Sequence, residues 1–122
     1  MKKIYTFIIL LIPSLFAFSQ NSLRLYYNSE LLGNDDSIYF FMDSSQYTAQ
    51  YVQLAVENIS DNNINVKVKK TEISVVPGTE NSFCWVMCYD ASVLVSTKYI
   101  TIPAHSMNST DFYGEYYPKG HL

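Results

Sequence analysis

Two neighbouring stretches of the chain alternate apolar and polar residues with a period of two. In residues 51–57 and again in 64–69, valine, leucine and isoleucine occupy the even positions. Because successive side chains of a strand point to opposite faces, this alternation predicts two strands that each bury one face. After Lys70 the apolar residues move to odd positions, and one continuous strand cannot bury both sets. We therefore expect a bulge or bend near residues 70–72, as at a crossing between two sheets.

The rest of the chain has the same strand-forming character. Tyrosine accounts for 11 of 122 residues, and no window after residue 20 keeps a helical spacing of apolar residues for three turns. Turn signals occur at 77–79 and 118–120. Further strands are expected at 23–27, 38–42, 83–89, 92–95, 100–102 and 112–117. We predict an all-β, two-sheet antiparallel sandwich whose core includes Val52, Leu54, Val56, Val66, Val68, Phe83, Trp85, Ile100, Ile102 and Phe112.

The first nineteen residues have the pattern of an export signal. Lys2 and Lys3 precede an apolar run of 15 residues from Ile4 to Phe18, which ends with the small residues of a cleavage site. The run contains Pro13 and is shorter than the ~20 residues that span a bilayer, which argues against a transmembrane anchor. We expect residues 1–19 to be a cleaved signal peptide. Residues 20–122 then form one secreted or cell-surface domain with no membrane span.

The charge balance argues against a nucleic-acid partner. The formal net charge of −3 becomes −5 when Lys2 and Lys3 are removed with the signal peptide. Among the remaining basic residues only Lys67, Lys69 and Lys70 lie close together in the sequence. A surface that follows a phosphate backbone needs many more basic residues.

Cys84 and Cys88 are the only cysteines of the chain. An even number of cysteines in an exported protein favours a disulfide. A three-residue hairpin loop would place the two residues opposite each other at a Cα spacing that a disulfide accepts. The alternatives are free thiols or a metal or redox pair, but the spacing fits neither a four-ligand site nor a Cys-x-x-Cys motif. We predict a structural disulfide, with no metal and no cofactor.

One set of polar residues has the composition of a hydrolase triad. His105 is followed closely by Ser106, Ser109 and Asp111. No Gly-x-Ser-x-Gly turn positions a serine, so we interpret these residues as a solvated loop. We therefore expect no catalytic residue and no enzyme activity.

Two further kinds of polar motif are candidates for binding or modification. Residues 34–37 offer oxygen ligands for calcium but lack the spacing of a calcium-binding loop, so a solvated turn is expected. Asn58 and Asn108 each begin an Asn-x-Ser/Thr sequon and are candidate glycan acceptors.

The last predicted strand carries aromatic residues on both faces. Phe112 and Tyr116 share one face, whereas Tyr113, Glu115 and Tyr117 share the other. If the first face packs inward, the second displays tyrosines suited to stacking on sugars or to a protein interface. Tyr113 and Tyr117 are therefore the candidate binding residues. The alternative is that further strands or a neighbouring domain cover this face.

Several motifs together resemble one known domain. They lie at 33–39, 56–60, 66–70, 77–85, 88–89 and 111–120. They resemble an immunoglobulin-like β-sandwich domain of secreted Bacteroidota proteins, which commonly precedes the C-terminal sorting domain for type IX secretion. The resemblance implies an exported sandwich and carries no catalytic residues. Members of that group continue past the Pro-x-Gly turn into further strands and the sorting domain. We therefore expect this sandwich to lack its final strands and to self-associate through an exposed edge.

These features together predict a non-catalytic structural or spacer module of an exported bacterial protein. The alternative is a carbohydrate- or protein-binding module that uses the aromatic face of the last strand.

Overall fold

The computed structural model describes residues 21–43 and 47–121, and the predicted signal peptide lies outside them. Eight strands and no helix occur in the described part of the chain. They are β1 (Leu23–Tyr27), β2 (Glu30–Leu32), β3 (Gln50–Asn58), β4 (Ile64–Val66), β5 (Glu80–Trp85), β6 (Met87–Cys88), β7 (Ile100–Ile102) and β8 (Ser106–Tyr117).

The strands form two antiparallel sheets. The larger sheet has the order β2-β1-β3-β8-β5-β6, and the smaller sheet pairs β4 with β7. The predicted all-β architecture with two antiparallel layers is therefore confirmed. No helix long and apolar enough to span a membrane occurs in residues 21–43 and 47–121.

A tight turn at Asn28 and Ser29 produces a hairpin that the sequence did not predict. Both residues have positive φ, 49° and 66°, as in a type I′ turn, whose twist matches that of the flanking strands. The chain therefore folds back at once, and β2 pairs with β1. The other side of β1 pairs with β3, so both edges of β1 are used. The predicted strand at 38–42 is wrong, because this segment has no strand pairing and Phe41 is 100% exposed.

β3 and β8 form the centre of the large sheet. Leu54 on β3 lies opposite Phe112 on β8. Val56 lies opposite Asn108, so two steps along β3 correspond to four steps along β8, which bulges there. The Asn108 side chain holds the bulge: its Oδ1 accepts a hydrogen bond from the backbone N–H of Asp111 (3.1 Å), and its Nδ2 donates to the Asp111 carboxylate (2.7 Å). The predicted last strand is thus the C-terminal half of a longer one.

After Lys70 the apolar residues move from even to odd positions because strand pairing ends there. Lys70 donates its backbone N–H to the Leu94 carbonyl (2.7 Å), and no ladder follows. Ile73 is 95% exposed, so the odd-numbered apolar set does not enter the core. The chain then turns at Gly78, which has φ 87°, and enters β5 of the large sheet. The predicted strand at 92–95 is also wrong, because it contributes only an isolated bridge to Lys69.

The core lies between the two sheets and is centred on Trp85, whose side chain has no exposed surface. Its ring meets Phe112 edge-on at 5.9 Å, and its indole N–H donates to the Val66 carbonyl at 2.8 Å. The buried apolar residues around it are Val56, Val66, Phe83, Tyr89 and Ile102, with Ile64, Val68, Val93, Ile100 and Phe112 packed against them. Eight of the ten predicted core residues belong to this set. The other two, Val52 and Leu54, are half-buried in surface grooves.

Candidate functional surfaces

The β5–β6 hairpin places Cys84 opposite Cys88, with their sulfur atoms 2.00 Å apart. The predicted cysteine pair at disulfide-bonding distance is confirmed. Val86 lies in the turn between them with φ 66°, a conformation that β-branched residues rarely adopt. The buried Trp85 fixes the residue before this turn, and the cysteine pair joins the two strands that it connects. Together they stabilise the unfavourable backbone conformation of Val86. The pair therefore closes a hairpin that the core also anchors.

His105 does not meet the other residues of the triad considered from the sequence. Its Nε2 lies 2.7 Å from Asp61 Oδ1, and both side chains are well exposed. Ser106 donates its hydroxyl to a backbone carbonyl, and the Asp111 carboxylate accepts from Asn108. The His105–Asp61 pair connects the loop after β3 with the loop before β8, which is a structural contact between two turns.

The acidic residues of the first loop close a turn. The Asp36 carboxylate accepts a hydrogen bond from the backbone N–H of Gly33, so residues 33–36 form the turn expected at this position. No group of three or more histidine, cysteine or acidic residues in residues 21–43 and 47–121 is arranged to hold a metal ion.

The Lys70 side chain forms hydrogen bonds within the protein and therefore does not form an exposed basic cluster with Lys67 and Lys69. Its Nζ donates to the backbone carbonyls of Asn81 (2.8 Å) and Ala91 (2.6 Å) and pairs with Glu72 at 3.2 Å. The ammonium group therefore caps the outer edge of β5 and ties it to two loops. Lys67 and Lys69, in contrast, are exposed.

Asn58 is a buried structural residue, and its side chain has no exposed surface. The Nδ2 group donates to the carbonyls of Ile102 (2.9 Å), Asn62 (2.7 Å) and Pro103 (3.2 Å), and Oδ1 accepts from the backbone N–H of Ser60 (2.9 Å). A glycan on Nδ2 would displace these bonds. The proposal that Asn58 accepts a glycan is therefore wrong for the folded chain.

The outer face of the large sheet carries a row of tyrosines. Tyr51 on β3 lies opposite Glu115 on β8, which Tyr113 and Tyr117 flank along the strand. Tyr51 is 58% exposed, whereas Tyr113 and Tyr117 are half-buried. The Lys119 ammonium lies 5.4 Å from the centre of the Tyr117 ring. The alternation of β8 indicated two of these tyrosines, but Tyr51 joins them only through the β3–β8 register. We name this surface, Tyr51, Tyr113, Glu115 and Tyr117, the tyrosine row.

The inner face of the large sheet is only partly covered by the two-stranded sheet. A groove of about 750 Å³ lies over β3, β8 and β5, with Val52, Phe83 and Gly114 among its lining residues and residues 40–42 along its side. A methyl group on Gly114 would meet only Val52, at an ordinary 3.9 Å, so this part of the groove has free space.

A second groove of about 600 Å³ lies over β1 and β2, beside the exposed lysines. Its apolar lining includes Leu32 together with Leu23 and Leu25, which are 36% and 37% exposed. Lys67 and Lys69 border it. We name it the leucine groove.

No protein-family model matches this chain, and comparisons with curated proteins and with solved structures gave no significant match. The resemblance to the Bacteroidota sandwich domain, with the secretion route that it implies, therefore stays a prediction.

Tyr89 connects the loop before β7 to the core. Its ring contacts Phe83 at 5.2 Å between centroids, and its hydroxyl accepts a hydrogen bond from the backbone N–H of Lys98 (3.1 Å). Burial opposes ionisation of this hydroxyl, but hydrogen bonds from Thr97 and Lys98 and the Lys98 charge outweigh it. They lower the pKa of Tyr89 below the ordinary tyrosine value.

This lowered pKa predicts a stability difference at alkaline pH. An acid whose pKa is lower in the folded state adds stability as the pH rises through that pKa towards the unfolded value of about 10. That contribution is absent at pH 7. We expect Tyr89→Phe to lose more unfolding free energy, relative to the unmodified chain, near pH 10 than near pH 7 in urea unfolding. Tyr99→Phe, at a 55% exposed tyrosine, is the control for the loss of a tyrosine hydroxyl. Equal losses for Tyr89→Phe at both pH values would contradict the shift.

Proposed function

We propose that residues 20–122 act as a non-catalytic structural or spacer module of an exported protein, secreted or held at the cell surface. The main support is what the candidate chemical groups do. His105 pairs with Asp61, Glu72 pairs with Lys70, and Asp111 is held by Asn108. Each of these contacts joins turns or strands of the scaffold.

Export is supported by two independent features. Residues 1–19 have the sequence of a cleaved signal peptide. Cys84 and Cys88 lie at disulfide-bonding distance, which suits an oxidising compartment. The resemblance to the immunoglobulin-like domain of secreted Bacteroidota proteins is the basis for proposing surface display, by type IX secretion where a sorting domain follows.

The export proposal is tested by mass spectrometry of the protein in its producing cell. We expect a product that begins at Gln20, carries two fewer hydrogen masses than the reduced form, and is found in the medium or on the cell surface. A cytosolic product that retains Met1 would contradict it.

The second candidate function is carbohydrate or protein binding by the tyrosine row. The observation that favours it is the β3–β8 register, which brings Tyr51 beside Glu115 between Tyr113 and Tyr117. Flat aromatic rings next to a carboxylate suit stacking on a sugar ring with hydrogen bonds to its hydroxyl groups.

A glycan array separates the two functions. For a spacer we expect no reproducible binding by the mature chain. Binding that is lost in Tyr113→Ala but kept in Tyr99→Ala, an exposed tyrosine outside the row, would favour the binding module. Binding that is lost in both variants would indicate non-specific adhesion. It would then not support a glycan-binding function of the tyrosine row.

A further inference from the structure

The chain that continues β4 of the small sheet has an open edge at Lys67 and Lys69. Backbone groups of Val68 and Lys70 bond the segment 94–96, at 2.9 Å and 2.7 Å. Consecutive residues of an antiparallel strand point their N–H and C=O groups to opposite sides. Those of Lys67 and Lys69 therefore point away from 94–96. No residue in the described ranges forms a backbone hydrogen bond with either lysine. Such an edge is a template for another strand.

The surface below this edge is the leucine groove. Leu25 lies opposite Leu32 on one side and Val56 on the other, so the three side chains share the inner face of the large sheet. Val56 is buried in the core, whereas Leu25 keeps 37% of its surface exposed. A strand added beside Lys67 and Lys69 would place every second side chain on this apolar floor.

The rim of the groove has one sign of charge. Lys67 and Lys69 line it, and no Asp or Glu of the described residues does. Arg24 on β1 lies opposite Glu57, on the outer face of the large sheet. This is unlike the whole chain, which has 8 basic and 11 acidic residues. Opposite charges on neighbouring strands stabilise the pair, and like charges destabilise it. The residues of an added strand that face away from the floor should therefore be acidic.

We propose that the leucine groove and the edge at Lys67 and Lys69 bind an extended segment of another protein in which apolar residues alternate with Asp or Glu. The segment adds a third strand to the small sheet. Its apolar residues cover the leucines, its backbone bonds the open edge, and its carboxylates face the two lysines. This interaction is separate from the tyrosine row, which lies on the opposite face of the large sheet.

The proposal is tested with three blocked seven-residue peptides titrated into the full chain by calorimetry at low salt. The first alternates valine with glutamate, the second alternates valine with lysine, and the third is the glutamate peptide with all of its backbone nitrogens methylated. We expect the glutamate peptide to bind about tenfold more tightly than the lysine peptide, from two or three cross-strand charge pairs. We expect the methylated peptide not to bind, because it cannot donate to a strand edge.

Charge reversal in the protein completes the test. The double variant Lys67→Glu and Lys69→Glu should prefer the lysine peptide, whereas the matched control Lys98→Glu, outside the groove, should keep the original preference. Equal binding of the first two peptides, equal binding of the methylated peptide, or no binding at millimolar concentration would overturn the proposal. Self-association is measured by sedimentation of the chain without peptide. If the chain self-associates and the double variant does not, a second copy of the chain is the occupant of the groove. That result would also overturn the proposed partner.

Discussion

Replacing Trp85 by alanine is expected to lower the free energy of unfolding by about 4 kcal/mol. Trp85 is the one apolar side chain of the core cluster with no exposed surface, and it fills the space between the two sheets. Its removal leaves a cavity against Phe112 and deletes the indole N–H that donates to the Val66 carbonyl. A domain of this size has a total stability of about 5–15 kcal/mol, so the variant should be largely unfolded at moderate urea concentrations.

Two variants separate the packing of Trp85 from its hydrogen bond. Trp85→Phe keeps most of the apolar volume but removes the indole donor, and it should cost about 2 kcal/mol. Phe41→Ala is the exposed control, because Phe41 is 100% exposed, and it should change stability by less than about 0.5 kcal/mol. The measurement is the urea midpoint by circular dichroism. A loss below about 1 kcal/mol for Trp85→Ala would show that the two layers do not close on this residue.

The sequence predicted the strands whose residues alternate and whose inner face is covered. β1, β3, β4, β7 and the end of β8 all overlap predicted strands. The predicted strand at 83–89 is wrong beyond Trp85, because the chain reverses at Val86 and β6 pairs back onto β5. Eight of ten predicted core residues were right for the same reason, since alternation identifies the buried face directly. The segments 38–42 and 92–95 have equally strand-like composition but lack a ladder. Composition does not show whether a neighbouring edge is available to pair with.

Features that depend on register or on turn geometry were not predictable from the sequence. The type I′ turn at Asn28 and Ser29 lacks glycine, which is the usual signal for it. The bulge at Asn108 shifts β8 by two residues, and no single-strand pattern shows it. The same register brings Tyr51 into the tyrosine row. Likewise, the leucine groove exists because β1 and β2 lie beside β4 in space, although far from it in sequence.

Asn58 is the residue whose structural importance the sequence concealed most, because its sequon indicated a glycan acceptor and not a buried residue. We expect Asn58→Ala to lower the free energy of unfolding by about 3 kcal/mol. The substitution leaves the carbonyl of Ile102 and the backbone N–H of Ser60 without the amide that now bonds both. It also detaches the end of β3 from the end of β7, and so loosens one end of the contact between the sheets. The measurement is again the urea midpoint, with Asn62→Ala as the control, since Asn62 is exposed in the same turn.

Asn58→Asp gives a sharper result because it changes charge at nearly constant shape. The carboxylate keeps the acceptor for Ser60 but places negative charge against the carbonyls of Ile102, Asn62 and Pro103. Burial and these carbonyls raise the pKa of the new carboxyl in the folded state above its unfolded value of about 3.9. The loss of unfolding free energy caused by Asn58→Asp is therefore largest at neutral pH, and it becomes smaller as the pH drops through the raised pKa. We expect this variant to be less stable than Asn58→Ala at pH 7 and to approach it near pH 5, each measured against the unmodified chain at the same pH. A constant difference between the two variants over this range would mean that the side chain of residue 58 is hydrated in solution and not held by the ends of β3 and β7.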